Sequence, residues 1–321
     1  MAIHRKNRYK AHQLKGRALY IEMRTNRLHE LLPVGSLLLA VTFWGSMWYP
    51  LRLLDQAGLD GIWTSLIAYG SILLLALPLL WRQRDECRDN FWTLLGIGLA
   101  SGWCNLAFII AVLDGTVVRV LLLFYLSPLW TVLLGHLLLK ETMTRYSRIV
   151  LGLAMIGALT MLWSPELGFP WPQSRSDWFA ISAGFAFALS NVLVRKAQHI
   201  SLTNKAISSW WGAMLICGGW LLLMGGELPQ VEMNTVSGAV LLGILGIGVT
   251  TFAVQYGVTY MPVHRSAVIL LFELVVGAVS AELLTDEVVR SVEWIGGGLI
   301  LLAAFLTARR QVESDDNLKS D

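Results

Sequence analysis

The chain has 321 residues, of which 55% are hydrophobic and only 15% are charged. A soluble domain has about 25% charged residues, and here the apolar residues stand together in uncharged runs of about twenty, such as 31–51. A helix of that length spans the hydrocarbon layer of a bilayer. The composition therefore excludes a soluble enzyme, a nucleic-acid-binding protein and a disordered protein, and it predicts a polytopic membrane protein.

Ten segments are long and apolar enough to span a bilayer, and each is bounded by charges or by Pro and Gly. Helices are expected rather than barrel strands, because no run alternates between polar and apolar residues. The segments before and after them, 1–30 and 311–321, are expected to form cytoplasmic tails. Both Met1 and Met23 are candidates for the natural start. In chain order the ten segments are 32–54, 60–81, 91–113, 116–139, 146–164, 176–196, 205–225, 236–260, 264–285 and 292–309.

Lys and Arg are distributed unequally between the two sides of the predicted helices. With the N-terminus in the cytoplasm, 21 of them fall on the inner side. Cytoplasmic loops of membrane proteins carry this excess of basic residues, so both termini are predicted to be cytoplasmic. The outer side holds only four basic residues, which are Arg52, Arg119, Arg175 and Arg290.

An internal repeat is visible when the chain is compared with itself. A shift of 146 residues places Arg119 on Arg265 and Glu141 on Glu287, and a shift of 144 places Ser46 on Ser190. The repeat divides the membrane domain into residues 31–165 and 175–310, each with five helices. Because five is odd, the two halves are predicted to cross the membrane in opposite directions. Inverted repeats of this kind are typical of secondary transporters.

Three motifs resemble a known family. The first helix contains Trp44-Gly45-Ser46-Met47, followed by Pro50-Leu51-Arg52. The fourth helix contains Leu126-Ser127-Pro128 and ends in Leu137-Leu138-Leu139-Lys140-Glu141. The ninth helix contains Phe272-Glu273-Leu274 and continues to Leu283-Leu284-Thr285-Asp286-Glu287. Over residues 33–309 the chain is similar to the ten-helix EamA family of the drug/metabolite transporter superfamily. Such families usually have a Pro where Leu274 stands, which leaves open whether the two helices bend alike.

The resemblance implies a bacterial inner-membrane transporter that exports small metabolites, often amino acids, by alternating access. It also implies a cavity lined by helices 1, 3, 4, 6, 8 and 9, with helices 5 and 10 at the periphery. A passive channel or facilitator is the alternative function. The expected partners are a small-molecule substrate, the lipid bilayer and possibly protons, with the chain as a monomer or homodimer.

No enzyme motif is found, since the sequence lacks His-Glu-x-x-His, Gly-x-Ser-x-Gly and a P-loop. No catalytic residue, metal or cofactor is therefore expected. Polar and aromatic side chains within the proposed lining helices are the candidates for substrate binding, although each aromatic ring could equally serve helix packing. The candidate substrate-binding residues are Trp44, Ser46, Trp103, Asn105, Tyr125, Asn191, Tyr256 and Glu273.

Glu273 is the most informative of these candidates. It is the only acidic residue more than about two turns from either end of a spanning segment. Ionisable residues at that depth usually face a cavity or a partner and serve a function. The sequence therefore predicts that Glu273 couples transport to protons, and the alternative is a protonated carboxyl that hydrogen-bonds to a neighbouring helix.

Three arginines at segment ends are candidate gating residues. Arg119 and Arg265 begin equivalent helices and could form ion pairs with Asp114 or Glu282, while Arg52 could attract a carboxylate-bearing substrate. The alternative for each arginine is a contact between its guanidinium and the lipid headgroups, which long basic side chains reach readily.

Overall fold

The protein is described by a computed structural model covering residues 31–163, 171–285 and 289–318. Within these residues, ten helices are long and apolar enough to cross a membrane. The predicted all-helical membrane protein with ten spanning helices is therefore confirmed. In chain order the helices are α1 (Leu31–Gln56), α2 (Gly61–Arg82), α3 (Phe91–Asp114), α4 (Val117–Leu139), α5 (Arg145–Leu162), α6 (Arg175–Lys196), α7 (Leu202–Met224), α8 (Met233–Tyr260), α9 (Val263–Leu284) and α10 (Ser291–Leu318).

The predicted segments differ from the helices mainly at their ends. The predicted tail 1–30 lies outside the described residues, whereas α10 continues to Leu318, into the predicted second tail. Helix α7 begins at Leu202 rather than at 205, because the Ser201 hydroxyl accepts a hydrogen bond from the backbone N–H of Asn204. Such polar capping residues start helices, but they interrupt the apolar runs by which spanning segments are recognised.

Lys205 is the clearest correction to the predicted loops. It is one of the 21 Lys and Arg residues that the sequence assigns to the inner side, yet it lies in the first turn of α7 with a fully buried side chain. Its ammonium donates hydrogen bonds to the Thr259 hydroxyl at 2.6 Å and to the Ala197 carbonyl at 3.3 Å. The ends of α6 and α8 supply these oxygens, which satisfy a charge that burial alone would make costly.

Two helices are interrupted at equivalent places. Helix α4 breaks at Tyr125 and Leu126 and resumes before Pro128, which lacks the N–H needed to continue the helical hydrogen bonds. Helix α9 breaks at Leu271, although Leu274 stands where the family usually has Pro. The first parts, Val117–Phe124 and Val263–Leu270, are 146 residues apart. The two helices therefore break alike, at the spacing of the predicted repeat.

Small residues bring helices of the two halves into close contact. A Cβ atom on Gly212 of α7 would collide with the backbone of Gly98 on α3, and one on Gly102 would collide with Gly212. In the same way Gly157 of α5 lies against the Gly296 carbonyl of α10, next to the buried Ala154 and Ala158. Small residues are what allows such close crossings in membrane helices.

A short helix, Arg84–Asp89, connects α2 to α3 where the sequence suggested a charged loop. Its Glu86 carboxylate accepts hydrogen bonds from the backbone N–H and hydroxyl of Ser201 and from the Asn204 amide. Burial by itself would raise the pKa of Glu86, but these hydrogen bonds outweigh it and hold the pKa below its usual value of 4.5. The carboxylate thereby stabilises the start of α7.

A polar pocket between two broken helices

A polar pocket lies where the interruptions of α4 and α9 meet α6. The side chains around it are mostly buried, and they combine aromatic rings, hydroxyls, one amide and one carboxyl. Its free volume is only about 10 Å³, which is room for about one water molecule. The lining residues are Phe124, Tyr125, Ser127, Pro128, Thr131, Phe187, Asn191, Ser266, Ala267, Leu270, Leu271 and Glu273.

Glu273 is held in this pocket by the break in α9 and by contact with α1. It is the second residue after the break, in the first turn of the second part of α9. The Tyr125 side chain, at the break in α4, lines the same pocket. The Glu273 carbonyl lies so close to Gly45 that a Cβ there would approach to 2.7 Å. The glycine of the Trp44-Gly45-Ser46 motif thus permits α1 to pack at the Glu273 turn.

Aromatic rings form a continuous cluster beside the carboxyl. The rings of Phe124 and Phe187 are 5.7 Å apart, and Trp44 contacts Phe187 edge-on at 6.2 Å. Phe108 and Tyr125 also contact Phe124, at 4.9 and 5.3 Å. The pocket therefore has an aromatic wall built from α1, α3, α4 and α6.

Two hydroxyl groups of the pocket, those of Thr131 and Ser266, donate their protons to backbone carbonyls. Thr131 donates to the Ser127 carbonyl at 2.9 Å, and Ser266 donates to the Val263 carbonyl at 3.0 Å. Each hydroxyl carries one proton and two acceptor lone pairs. These side chains therefore present acceptors, not donors, to a molecule in the pocket.

The structure brings together three of the eight candidate substrate-binding residues. Tyr125, Asn191 and Glu273 line the pocket, and Trp44 lies one layer behind it, against Phe187. Ser46 is on the neighbouring helix α1, where its hydroxyl donates to the Thr42 and Phe43 carbonyls of its own helix. The position of Ser46 fits helix stability at least as well as binding.

The other three candidates lie away from this lining. Trp103 is 37% exposed and donates from its indole N–H to the Ser182 hydroxyl on α6. Asn105 donates to the Tyr69 hydroxyl on α2 and accepts from the Cys217 thiol on α7. The Tyr256 ring packs against Tyr260, one turn along α8. A binding role for these residues stays a prediction.

A buried polar network that sequence reasoning did not identify joins α3, α6, α7 and α8. The hydroxyls of Ser101 and Ser190 are 2.7 Å apart, and Ser101 donates to Ser209. The Gln255 amide nitrogen also donates to Ser209, at 3.1 Å. Its signal in the sequence is only the presence of Ser and Gln inside apolar runs, since spacing along the chain does not show which helices meet.

Arg119 forms a buried ion pair, but not with the partner expected from the sequence. Its guanidinium contacts Asp177 at the start of α6, with 2.9 Å between Nε and Oδ1, and donates to the Trp171 carbonyl. The Asp177 side chain is only 1% exposed. The proposed partner Asp114 is therefore wrong for this structure, because Asp177 caps the neighbouring helix and faces the guanidinium.

A second ion pair joins the opposite ends of the same two helices. Arg195 near the end of α6 contacts Glu141, just beyond α4, with 3.1 Å between Nε and Oε1. Arg195 also donates to the Thr259 carbonyl, and Glu141 accepts from the backbone N–H of Val263. The pair thus ties α4 and α6 to the α8–α9 connection. Its repeat counterpart Glu287 lies outside the described residues.

The remaining candidate gating residues are not in the polar pocket. Arg52 is exposed near the end of α1. Arg265 lines a separate small pocket formed by α5, α9 and α10, together with Tyr146, His264 and Thr307. Within the residues described, no group of three or more His, Cys, Asp or Glu side chains could hold a metal ion.

Relatives of known sequence or structure agree with this architecture. A protein from Pseudomonas aeruginosa named as an uncharacterized transporter is 28% identical over 153 residues, 46% of this chain and 47% of the relative. The chain thus spans about half the length of that relative. An uncharacterized transporter from Archaeoglobus fulgidus is 24% identical over 230 residues, 68% of this chain and 76% of the relative.

A solved crystal structure of a protein with 17% identity superimposes with a TM-score of 0.71, over 87% of this chain and 97% of the other. At this identity the likeness concerns the fold alone. The pattern that describes the EamA-like transporter family matches twice, at residues 31–163 and 174–309. Those two matches cover most of the sequence and both broken helices, so the chain belongs to the EamA-like transporter family.

Proposed function

We propose that the protein is a secondary transporter that exports small organic molecules across a bacterial inner membrane by alternating access. The observation that carries this proposal is the pocket itself, where a carboxyl lies between two helices broken at equivalent positions. Broken helices that meet at a polar site are the usual substrate sites of such carriers. Amino acids and related compounds are the substrates that the family resemblance suggests.

The closed geometry of the pocket supports alternating access rather than a permanent pore. Its free volume of about 10 Å³ is too small for an organic molecule. Helices α4 and α6, which form two of its walls, are joined by ion pairs at both ends, through Arg119–Asp177 and Arg195–Glu141. A substrate could then enter only when one end separates, and release would require the other end to separate.

Glu273 is the group that we assign to proton coupling. It is the one acidic group among the described residues that line the pocket, where it lies together with Tyr125 and Asn191. A carboxyl in this position can exchange a proton for a substrate when the pocket opens to either side. The prediction is that proton release at one membrane face drives the return of the carrier.

Transport into proteoliposomes tests both parts of the proposal. The wild-type protein should show substrate exchange that a pH gradient accelerates. At saturating substrate, Glu273→Gln should retain exchange and lose the acceleration, because the amide keeps the shape of the side chain but does not titrate. Glu227→Gln, in the exposed α7–α8 loop, is the matched control. A passive facilitator would instead only equalise the substrate concentrations inside and outside the proteoliposomes. It would show neither exchange of one substrate molecule for another nor acceleration by a pH gradient.

The orientation proposed from the basic residues places both termini in the cytoplasm. A reporter active only outside the cytoplasm should work when fused after Gln173, between α5 and α6, and should fail after Arg88, between α2 and α3. An active fusion after Arg88 would contradict the proposed orientation.

A further inference from the structure

The described residues that line the pocket carry ionisable charge of one sign only, which is negative. Among the described residues that line it, Glu273 is the one acidic group, and none is Lys, Arg or His. A charged ligand group in an apolar site is stabilised most by a partner of opposite charge, because an unpaired charge there is costly. Ser127, Tyr125 and Asn191 add neutral hydrogen-bonding groups to the lining, but the charged partner that it supplies, Glu273, suits a cation.

The nearby cations are held by other groups. Arg119 is paired with Asp177, and Arg195 is paired with Glu141. The Lys205 ammonium is fully buried between the ends of α6 and α8. A substrate carboxylate in the pocket could therefore pair with Arg119, Arg195 or Lys205 only if one of these contacts were broken, and Arg265 and His264 line a different pocket.

Several backbone donors at the helix N-termini of the two breaks are already used within the protein. In the second part of α4, the backbone N–H groups of Leu129 and Trp130 already donate to the Leu126 carbonyl, and Pro128 has no N–H. In the second part of α9, the first turn already contains the Glu273 carboxyl, and the Leu274 N–H donates to Leu271. The N-terminal donors that favour anions elsewhere are thus occupied at Leu129, Trp130 and Leu274 and absent at Pro128.

The remaining polar and aromatic groups suit an ammonium group. Thr131 and Ser266 offer acceptor lone pairs, since their protons are bound to backbone carbonyls. Phe124, Tyr125 and Phe187 place ring surfaces beside the carboxyl. Aromatic faces attract ammonium groups, most strongly where water is excluded.

We propose that the substrates are organic amines, which combine a cationic ammonium group with an apolar body and have no carboxylate. The ammonium would contact Glu273 and the acceptor hydroxyls, and the apolar body would lie on the aromatic wall. This inference rests on the proposed transport function and narrows its substrates, because it favours an amine over the amino acid that has the same side chain.

Equilibrium binding to the full chain in detergent tests the substrate class without any need for flux. Three probes share one aromatic body and differ in charge, namely 2-phenylethylamine, phenylalanine and 3-phenylpropionate. We expect the amine to bind wild type, and each of the other two to bind roughly tenfold or more weaker, as for loss or mismatch of a hydrogen bond to a charged group. Equal or tighter binding of phenylalanine or 3-phenylpropionate, or no binding of the amine, would overturn the proposal.

Variants then assign the binding to this pocket. Glu273→Gln should weaken binding of the amine roughly tenfold to a hundredfold, whereas Glu227→Gln should leave it unchanged. Unaltered amine binding in a folded Glu273→Gln protein would refute the assignment. The comparison of the three probes on wild type still decides the substrate class if that variant does not fold.

Flux measurements separate this proposal from the transport function. Flux of phenylalanine without binding of the amine would refute the substrate class and leave the transporter intact. Binding of the amine without flux of any of the three probes would support the class and count against transport.

Discussion

The Arg119 guanidinium grips the Asp177 carboxylate through two parallel contacts, with Nε 2.9 Å from Oδ1 and Nη2 3.0 Å from Oδ2. Asp177 also accepts hydrogen bonds from the backbone N–H groups of Gln173 and Ser174. The same carboxylate therefore binds the backbone at the start of α6 and also joins α6 to α4 through Arg119. Paired contacts of this geometry are the strongest form of ion pair in proteins.

Asp177→Asn should destabilise the folded protein substantially. It leaves the partly buried Arg119 charge without its counter-ion, which costs roughly 3–5 kcal/mol in buried pairs. The thermal unfolding temperature in detergent measures the effect. Arg290→Gln is the control, because it breaks the Arg290–Glu293 pair, in which the arginine is 62% exposed, and such exposed pairs contribute roughly 0–1 kcal/mol. Equal effects of the two variants would contradict the role given to Asp177.

Replacement of Trp44 and of Trp103 should affect substrate affinity differently, because Trp44 supports the aromatic wall of the pocket and Trp103 does not line it. Trp44→Phe changes the ring that supports Phe187, so the apparent substrate affinity should fall. Trp103→Phe removes the hydrogen bond to Ser182 and changes the ring contact with Phe179, both outside the pocket lining, so substrate affinity should stay near that of wild type. The half-saturating substrate concentration in proteoliposomes distinguishes them. A larger change for Trp103→Phe would mean that the open pocket extends along α3.

The glycine contact between α3 and α7 should tolerate no added methyl group. Gly212→Ala forces a Cβ into the backbone of Gly98, and overpacking of this kind typically costs about 1–3 kcal/mol. Gly219 lies on the same helix, and a Cβ added there would have no neighbouring atom within 4 Å. Gly219→Ala is therefore the control. The unfolding temperatures of both variants give the comparison. Gly219→Ala should match wild type or slightly exceed it, since Ala favours helices.

The hydrogen bonds between the Glu86 carboxylate and the start of α7 should make the free energy of unfolding sensitive to acid. Its pKa is lower in the folded protein than its usual value of 4.5, so the unfolded chain binds the proton more readily. The stabilisation is complete above that usual value and is lost as the pH falls through the lower folded pKa. The unfolding temperature of wild type should therefore fall more steeply than that of Glu86→Gln between about pH 6 and pH 3.5.

Asp85→Asn, on the same short helix, is the control for this titration. Its side chain is 94% exposed, so its removal should leave the pH profile of wild type unchanged. Parallel profiles for wild type and Glu86→Gln would show that the cap does not contribute to the acid sensitivity.

The ten helices were predictable from the sequence because burial in lipid requires long uncharged runs, which composition reveals directly. Glu273 was found for the same reason, as a lone acidic residue deep within such a run. The break in α9 was uncertain, because Leu274 has no intrinsic tendency to end a helix. Beside that break, Gly45 brings α1 against the Glu273 turn, a contact between distant parts of the chain that the local sequence does not show.

The partners of charged residues could not be predicted in this way. Asp177 and Lys205 stand at the ends of apolar runs, where most charges face headgroups or water, and nothing local distinguishes them. Arg119 and Asp177 are 58 positions apart, and Lys205 meets Thr259 across 54 positions. Such contacts depend on which helices become neighbours, and the hydrophobic pattern of each helix does not contain that information.

The close approach of α3 and α7 has a consequence for how the chain is made. Helix α3 leaves the ribosome long before α7, so Gly98 has no partner while the intervening segments are still being synthesised. The Ser101 hydroxyl on the same helix also has no Ser190 or Ser209 hydroxyl to bond with until α6 and α7 have been synthesised. Helices can insert singly and associate afterwards, so assembly around α3 is completed only late in translation. A chain that stops before α7 would leave this surface open to lipid and to the quality-control proteases of the cell.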